Sequence, residues 1–263
     1  MKAKLHIQTI LREGNTKLGN CYFSPPFKVM NVTEDKRGKD LHLMLMSSSP
    51  GVLDDDDYEM VIEVVENGSL QLHTQSYQRL FTMQNSAVQK MSVYLDCGAS
   101  FCYLPHPSVP HENSSFTAKN NIYLKDGCSL VWGEVLTCGR KLNGEVFQFS
   151  KYQSITNIYC NNKLIIKENL LMQPSLVHPN SIGQMEGFTH QASLILYDET
   201  IDFVELSDAI YEMLGLQEDI SFGVSALAKN GLVVRLLGFK AEQLFDCLKS
   251  VAAMLPSQKL AHG

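Results

Sequence analysis

The sequence has no long apolar run and no basic block. No stretch approaches the roughly 20 consecutive apolar residues of a membrane-crossing helix, so no membrane span is expected. Lys and Arg number 22 against 28 Asp and Glu, a net charge of -6, whereas a nucleic-acid partner calls for a basic face. The opening Met1-Lys-Ala-Lys-Leu-His6 lacks an apolar secretory core. The seven cysteines are odd in number and scattered, which fits reduced thiols better than a disulfide framework. These absences together predict a cytoplasmic chain.

Catalytic signatures are missing too. Gly38-Lys39 is followed by Asp40 instead of Ser or Thr, and position 33 is Thr, so there is no phosphate-cradling Walker sequence. Gly223-Val-Ser225-Ala-Leu227 lacks the second glycine of a nucleophile elbow, and no His-Glu-x-x-His occurs. Dispersed catalytic groups would escape such a search, but the reading is that the chain is not an enzyme.

What is present is a series of short strands. Met60-Val-Ile-Glu-Val-Val65, Leu70-Gln-Leu-His73, Met91-Ser-Val-Tyr-Leu95 and Asn121-Ile-Tyr-Leu124 are rich in β-branched, apolar or aromatic residues. Asn67-Gly68, Asp126-Gly127, Asn143-Gly144 and Asn230-Gly231 supply turns, because these pairs tolerate positive φ. Gly68, Gly98 and Gly127 each divide two strands and fall 30 and 29 residues apart. Such a repeat predicts a mostly β fold with a stacked strand-turn-strand, solenoid-like body. An ordinary run of hairpins is the alternative.

Two helices are expected near the C-terminus. The first has Ser207 as its N-cap, Leu206, Ile210, Met213 and Leu214 as its apolar side, and Gly215 at its end. The second carries Leu244, Phe245, Leu248, Val251, Ala252 and Leu255 at helical spacing and stops at Pro256. The chain thus reads as one domain over 1–263, with a β body to about residue 202 and a helix-hairpin-helix portion over about 203–256.

Three features offer chemistry. Cys97, Cys102, His106 and His111 have the residue types of a zinc site, although Cys97 and Cys102 point to opposite faces of a regular strand. Asp54 to Asp57 form a dense acidic run. Glu134 interrupts the apolar Leu130-Val-Trp-Gly-Glu-Val-Leu136, and a carboxylate buried there needs a partner or a cation. Arg140 is the candidate structural partner.

Five segments, in order, resemble the UreD/UreH urease accessory proteins. They are Phe23-Ser-Pro-Pro-Phe-Lys-Val-Met30, Leu72-His-Thr-Gln-Ser-Tyr-Gln-Arg-Leu-Phe81, the proline-bearing Leu104–Asn113, the stretch Leu130–Phe149, and Gly187-Phe-Thr-His-Gln-Ala-Ser-Leu194. The most specific is Leu130–Phe149, with Glu134, Gly139-Arg140 and Gly144-Glu145-x-Phe147. The resemblance implies a maturation scaffold for urease. It implies direct binding to UreF in a 2:2 heteromer, recruitment of the GTPase UreG through UreF, and docking on the urease apoprotein. It implies no tightly bound cofactor but transient nickel, which passes through an internal tunnel. Glu134 matches a family glutamate. Asp56 matches an aspartate after Ser49-Pro50-Gly51, with Asp55 standing where the family has glycine. These two carboxylates are the candidate tunnel residues. The alternative is a zinc-binding module or enzyme built on Cys97, Cys102, His106 and His111.

Overall fold

A computed structural model describes residues 1–35 and 38–255. The chain opens with β1 (Lys2–Arg12), β2 (Asn15–Phe23), β3 (Phe27–Asn31) and β4 (Asp40–Ser47). The middle holds β5 (Asp57–Val64), β6 (Ser69–Thr74), β7 (Gln78–Leu80), β8 (Ala87–Leu95), β9 (Ser100–Leu104), β10 (Ser108–Pro110), β11 (Ser115–Leu124) and β12 (Ser129–Thr137). Then follow β13 (Lys151–Cys160), β14 (Lys163–Met172), β15 (His190–Asp198), α1 (Phe203–Gly215), β16 (Ile220–Ala226), β17 (Gly231–Gly238) and α2 (Ala241–Ala252).

The strands form two sheets. The first has seven strands in the order β14-β13-β11-β8-β5-β1-β2. The second has ten, with the path β16-β17-β15-β12-β9-β6-β4-β3 and the short β10 and β7 beside it. The chain passes from the first sheet to the second at the turns after β5, β8 and β11, so β5-β6, β8-β9 and β11-β12 stack as parallel rungs. This is the stacked strand-turn-strand body that the repeat predicts.

Side-chain alternation explains the core. Ile62, Val93, Ile122 and Ile158 form one inward column across the first sheet. Leu41, Leu70, Phe101 and Leu130 face them from the second. All eight are buried in one cluster between the sheets. Burying each stabilises the body by about 1.5–3 kcal/mol before entropy is counted. A second cluster lies on the far side of the second sheet, where α2 packs across β12, β15 and β17 and α1 packs on β16 and β17.

The turns stack as well, with one shift from the expected register. Counted from the ends of β5, β8 and β11, the equivalent residues are Asn67, Gly98 and Gly127, with φ of 55°, 67° and 68°. Gly68 instead aligns with Ala99 and Cys128. Asparagine tolerates the left-handed conformation, so it can fill a glycine position. A Cβ on Gly98 would meet Asn67 Oδ1 at 2.4 Å, so a side chain there would displace the Asn67 amide. The Gly98 amide donates to the Asp126 carbonyl at 2.9 Å and the Asn67 amide to the Cys97 carbonyl at 2.9 Å, joining successive turns.

The helices begin and end differently from the expectation. The N-cap of α1 is Asp202, whose carboxylate accepts from the Val204 amide at 2.9 Å, while Ser207 lies inside the helix. An acidic cap one turn earlier satisfies a free amide and complements the helix dipole. Gly215 is the last helical residue and Leu216 the C-cap, without a left-handed glycine. The second helix ends at Ala252, and Pro256 lies outside the described residues.

Candidate functional site

Glu134 lies on β12 between Trp132 and Leu136, both of which face the inter-sheet core. Alternation therefore aims Glu134 between the sheets. There the Tyr152 hydroxyl of β13 donates to Glu134 Oε1 at 2.6 Å, and Ser154 provides a second hydrogen bond. Burial pushes the Glu134 carboxyl above its usual range, and the negative charge of Glu168 pushes the same way. The two hydroxyls oppose that rise.

Asp56 lies immediately before β5 and is 3% exposed. Its Oδ1 receives the Met1 α-ammonium at 2.7 Å. Its Oδ2 accepts from the Leu53 amide at 2.8 Å and from the Tyr58 hydroxyl at 2.7 Å. Burial raises this carboxyl, but the ammonium and the two other donors outweigh it and leave the pKa below normal. Asp55 adopts φ 62°, so the residue standing in for the family glycine takes a glycine-like conformation. The other acidic residues disperse. Asp54 accepts from the Gln84 and Asn85 amides, and Asp57 pairs with Lys90.

The two carboxylates are joined through the interior. Tyr58, Gln89, Ala118 and Ser154 are directly paired positions on β5, β8, β11 and β13, and all face inward. Asp56 bonds to the first of this column and Glu134 to the last. At about 4.8 Å per strand, the column spans roughly 14 Å. Gln78 Nε2 donates to Gln89 Oε1 at 3.0 Å, Ser108 Oγ donates to Gln78 Oε1 at 3.2 Å, and Ser108 also bonds to Tyr152. A cavity of about 120 Å³, lined by Tyr58, Gln78, Gln89 and Tyr103, adjoins this seam. The result is a line of oxygen donors crossing an otherwise apolar body. Oxygen ligands this sparse can hold a divalent cation or water weakly and release it.

Arg140 is not the partner of Glu134. Its guanidinium forms a two-pronged pair with Glu145, and it is exposed. The chain leaves the second sheet after Thr137, which carries Arg140 out of the interior. The four zinc candidates are likewise not gathered. Cys97 is exposed in a turn, whereas Cys102 is buried on the helix side of the second sheet, where burial pushes its thiol up to about 12. His106 Nδ1 lies 3.0 Å from Thr74 Oγ1, and the His111 ring packs 4.7 Å from that of Phe81. Among the described residues no group of three or more His, Cys, Asp or Glu side chains is arranged to hold a metal ion.

Comparison with known proteins decides the family. The profile described as UreD urease accessory protein matches residues 1–262. The chain belongs to the UreD family of urease accessory proteins. It is 47% identical over 253 residues to urease accessory protein UreD of Flavobacterium johnsoniae, covering 96% of this chain and 91% of that protein. The UreD protein of Acetivibrio thermocellus is 36% identical, covering 97% of both chains. That of Actinobacillus pleuropneumoniae serotype 3 is 34% identical, covering 98% of both. UreD membership supports a role in urease maturation. No helix among the described residues is long and apolar enough to cross a membrane.

The residues that join the two carboxylates escape a reading of the sequence alone. Tyr152 and Ser154 carry a signal, since they are polar at alternate positions of a strand whose Ile158 is apolar. Gln78, Gln89 and Ser108 carry none, because their meeting depends on pairing across rungs.

Proposed function

We propose that this UreD-family chain is a non-catalytic, cytoplasmic scaffold that lets nickel pass through its body during urease maturation. It binds UreF directly as a 2:2 heteromer. UreF brings the GTPase UreG, and the assembly docks on the urease apoprotein. Nickel is the cargo, and Asp56 and Glu134 are its transient oxygen ligands at the two ends of the inward column. The observation that supports this most is the polar seam itself, because a buried carboxylate with raised pKa is costly and serves no ion pair. The exposed apolar Val204 and Leu216 of the α1 region are candidates for the UreF contact.

Ala118 gives the sharpest test, because it is the small residue in the middle of the column. Ala118→Leu should fill the passage, and Glu134→Ala should remove its inner ligand. Each variant is co-expressed with urease, UreF and UreG. Both should still co-purify with UreF while the nickel content of urease drops at least about tenfold, a change of about 1.4 kcal/mol. Full nickel loading by both variants overturns the route. Loss of UreF from both would point to a folding defect, which circular dichroism of each complex reads separately.

A further inference from the structure

The outer face of the second sheet, next to α2, carries a feature that the nickel route does not use. Leu41, Leu43 and Leu45 of β4 and Leu70 and Leu72 of β6 face the inter-sheet core, so His42, Met44 and His73 face the other way. His42 is 9% exposed, and its Nδ1 is buried without a hydrogen-bond partner among the described residues. His73 Nε2 is buried and unpartnered in the same sense. The two ring centroids are 5.9 Å apart and the planes are inclined by 32°. Met44 is paired directly with His73 in the strand register, and Met30 of β3 is paired with Met44.

Buried polar atoms are nearly always satisfied by protein, water or an ion, so two neighbouring orphans call for an occupant. A proton is a poor one. Burial and the neighbouring His42 and His106 rings lower the His73 pKa to about 4, and burial also lowers that of His42. Both imidazoles are therefore neutral near pH 7 and each keeps a lone pair. We propose that His42 and His73, with the Met44 thioether beside them, form a low-coordinate site for a soft monovalent d10 cation of the copper(I) class. Ring centres 5.9 Å apart are close enough for one ion to reach a nitrogen of each ring at a metal–nitrogen bond of about 2.0 Å. Zinc takes four ligands, and among the described residues no third His, Cys, Asp or Glu joins these two. Thioether and imidazole together favour copper(I). The site is independent of the nickel seam, since it lies on the opposite face of the sheet.

The test is an anaerobic copper(I) titration of the full chain against a chromophoric chelator. Cys21, Cys97 and Cys160 are first changed to Ser, because these thiols are not buried and would compete for the ion. One ion per chain is expected, with nitrogen and sulfur scatterers in its X-ray absorption spectrum. Losing an outer-shell partner already weakens metal sites 10- to 100-fold, so His42→Leu and His73→Leu should each weaken binding at least about 100-fold. Met44→Leu should weaken it about tenfold. His73→Gln serves as a second variant if a leucine variant shows an altered far-UV spectrum. Unchanged copper(I) affinity in folded His42 and His73 variants overturns the site. Tighter binding of zinc(II) or nickel(II) than of copper(I) at these histidines overturns the ion class.

Discussion

Glu134 and Asp56 are both buried carboxylates at the ends of one inward column, yet their surroundings drive them in opposite directions. Asp56 has a cation, a backbone amide and a phenol around it, and its pKa is lowered. Glu134 has two hydroxyls, no cation among the described residues and another carboxylate near enough to be felt, and its pKa is raised. Burial acts on both, so the donors decide the sign. The first carboxylate is favoured as an anion by its donors, whereas burial disfavours the charge of the second.

Four measurements can break or sharpen that contrast. The largest effect is expected from Asp56→Ala, which strands three donors and should cost about 3 kcal/mol at pH 7. A group with a lowered folded pKa contributes stability above its unfolded pKa of about 3.9 and loses it as pH falls. The gap between wild type and Asp56→Ala in urea denaturation should therefore narrow below about pH 4. A gap independent of pH would show that packing and not charge is what Asp56 provides. Next, Tyr152→Phe removes the main donor to Glu134 and should cost about 2 kcal/mol near neutral pH. Tyr58→Phe should cost less, because Asp56 keeps two other donors. Equal melting points for the two variants would contradict the contrast.

Glu134→Gln should have the opposite sign and raise stability by on the order of 1 kcal/mol at pH 8. With a raised folded pKa, protonation favours the native state. The contribution of Glu134 to stability is thus greatest below its unfolded pKa of about 4.3 and declines as pH rises through the folded value. The advantage of Glu134→Gln should vanish toward pH 4, as calorimetry across pH would read. The smallest effect belongs to Arg140→Ala. It breaks an exposed pair with Glu145 and should leave the urea denaturation midpoint essentially unchanged. A large drop in that midpoint would restore Arg140 as a structural partner of the interior.

The parts that were legible in the sequence were local. Alternation in Met60–Val65 and Met91–Leu95 identified strands, and the recurrent turns identified the stacked body. Glu134 stood out because its neighbours are apolar. Its partner did not, since Tyr152 reaches it from the other sheet and sequence distance hides that pairing. Arg140 was nearer in sequence, but Glu145 was nearer in space. The turn register slipped for a similar reason. Gly68 looked equivalent to Gly98, while the conformation itself belonged to Asn67.

The rung architecture also constrains how the interior can evolve. Tyr58, Gln89, Ala118 and Ser154 each come from a different strand of one paired column. The distance between the two carboxylates is therefore counted in whole strands. A loop insertion leaves it unchanged, and duplication or loss of a rung alters it by one strand spacing, about 4.8 Å. Separation along the column is a quantised trait: chemistry can be adjusted one side chain at a time, but length only one repeat at a time.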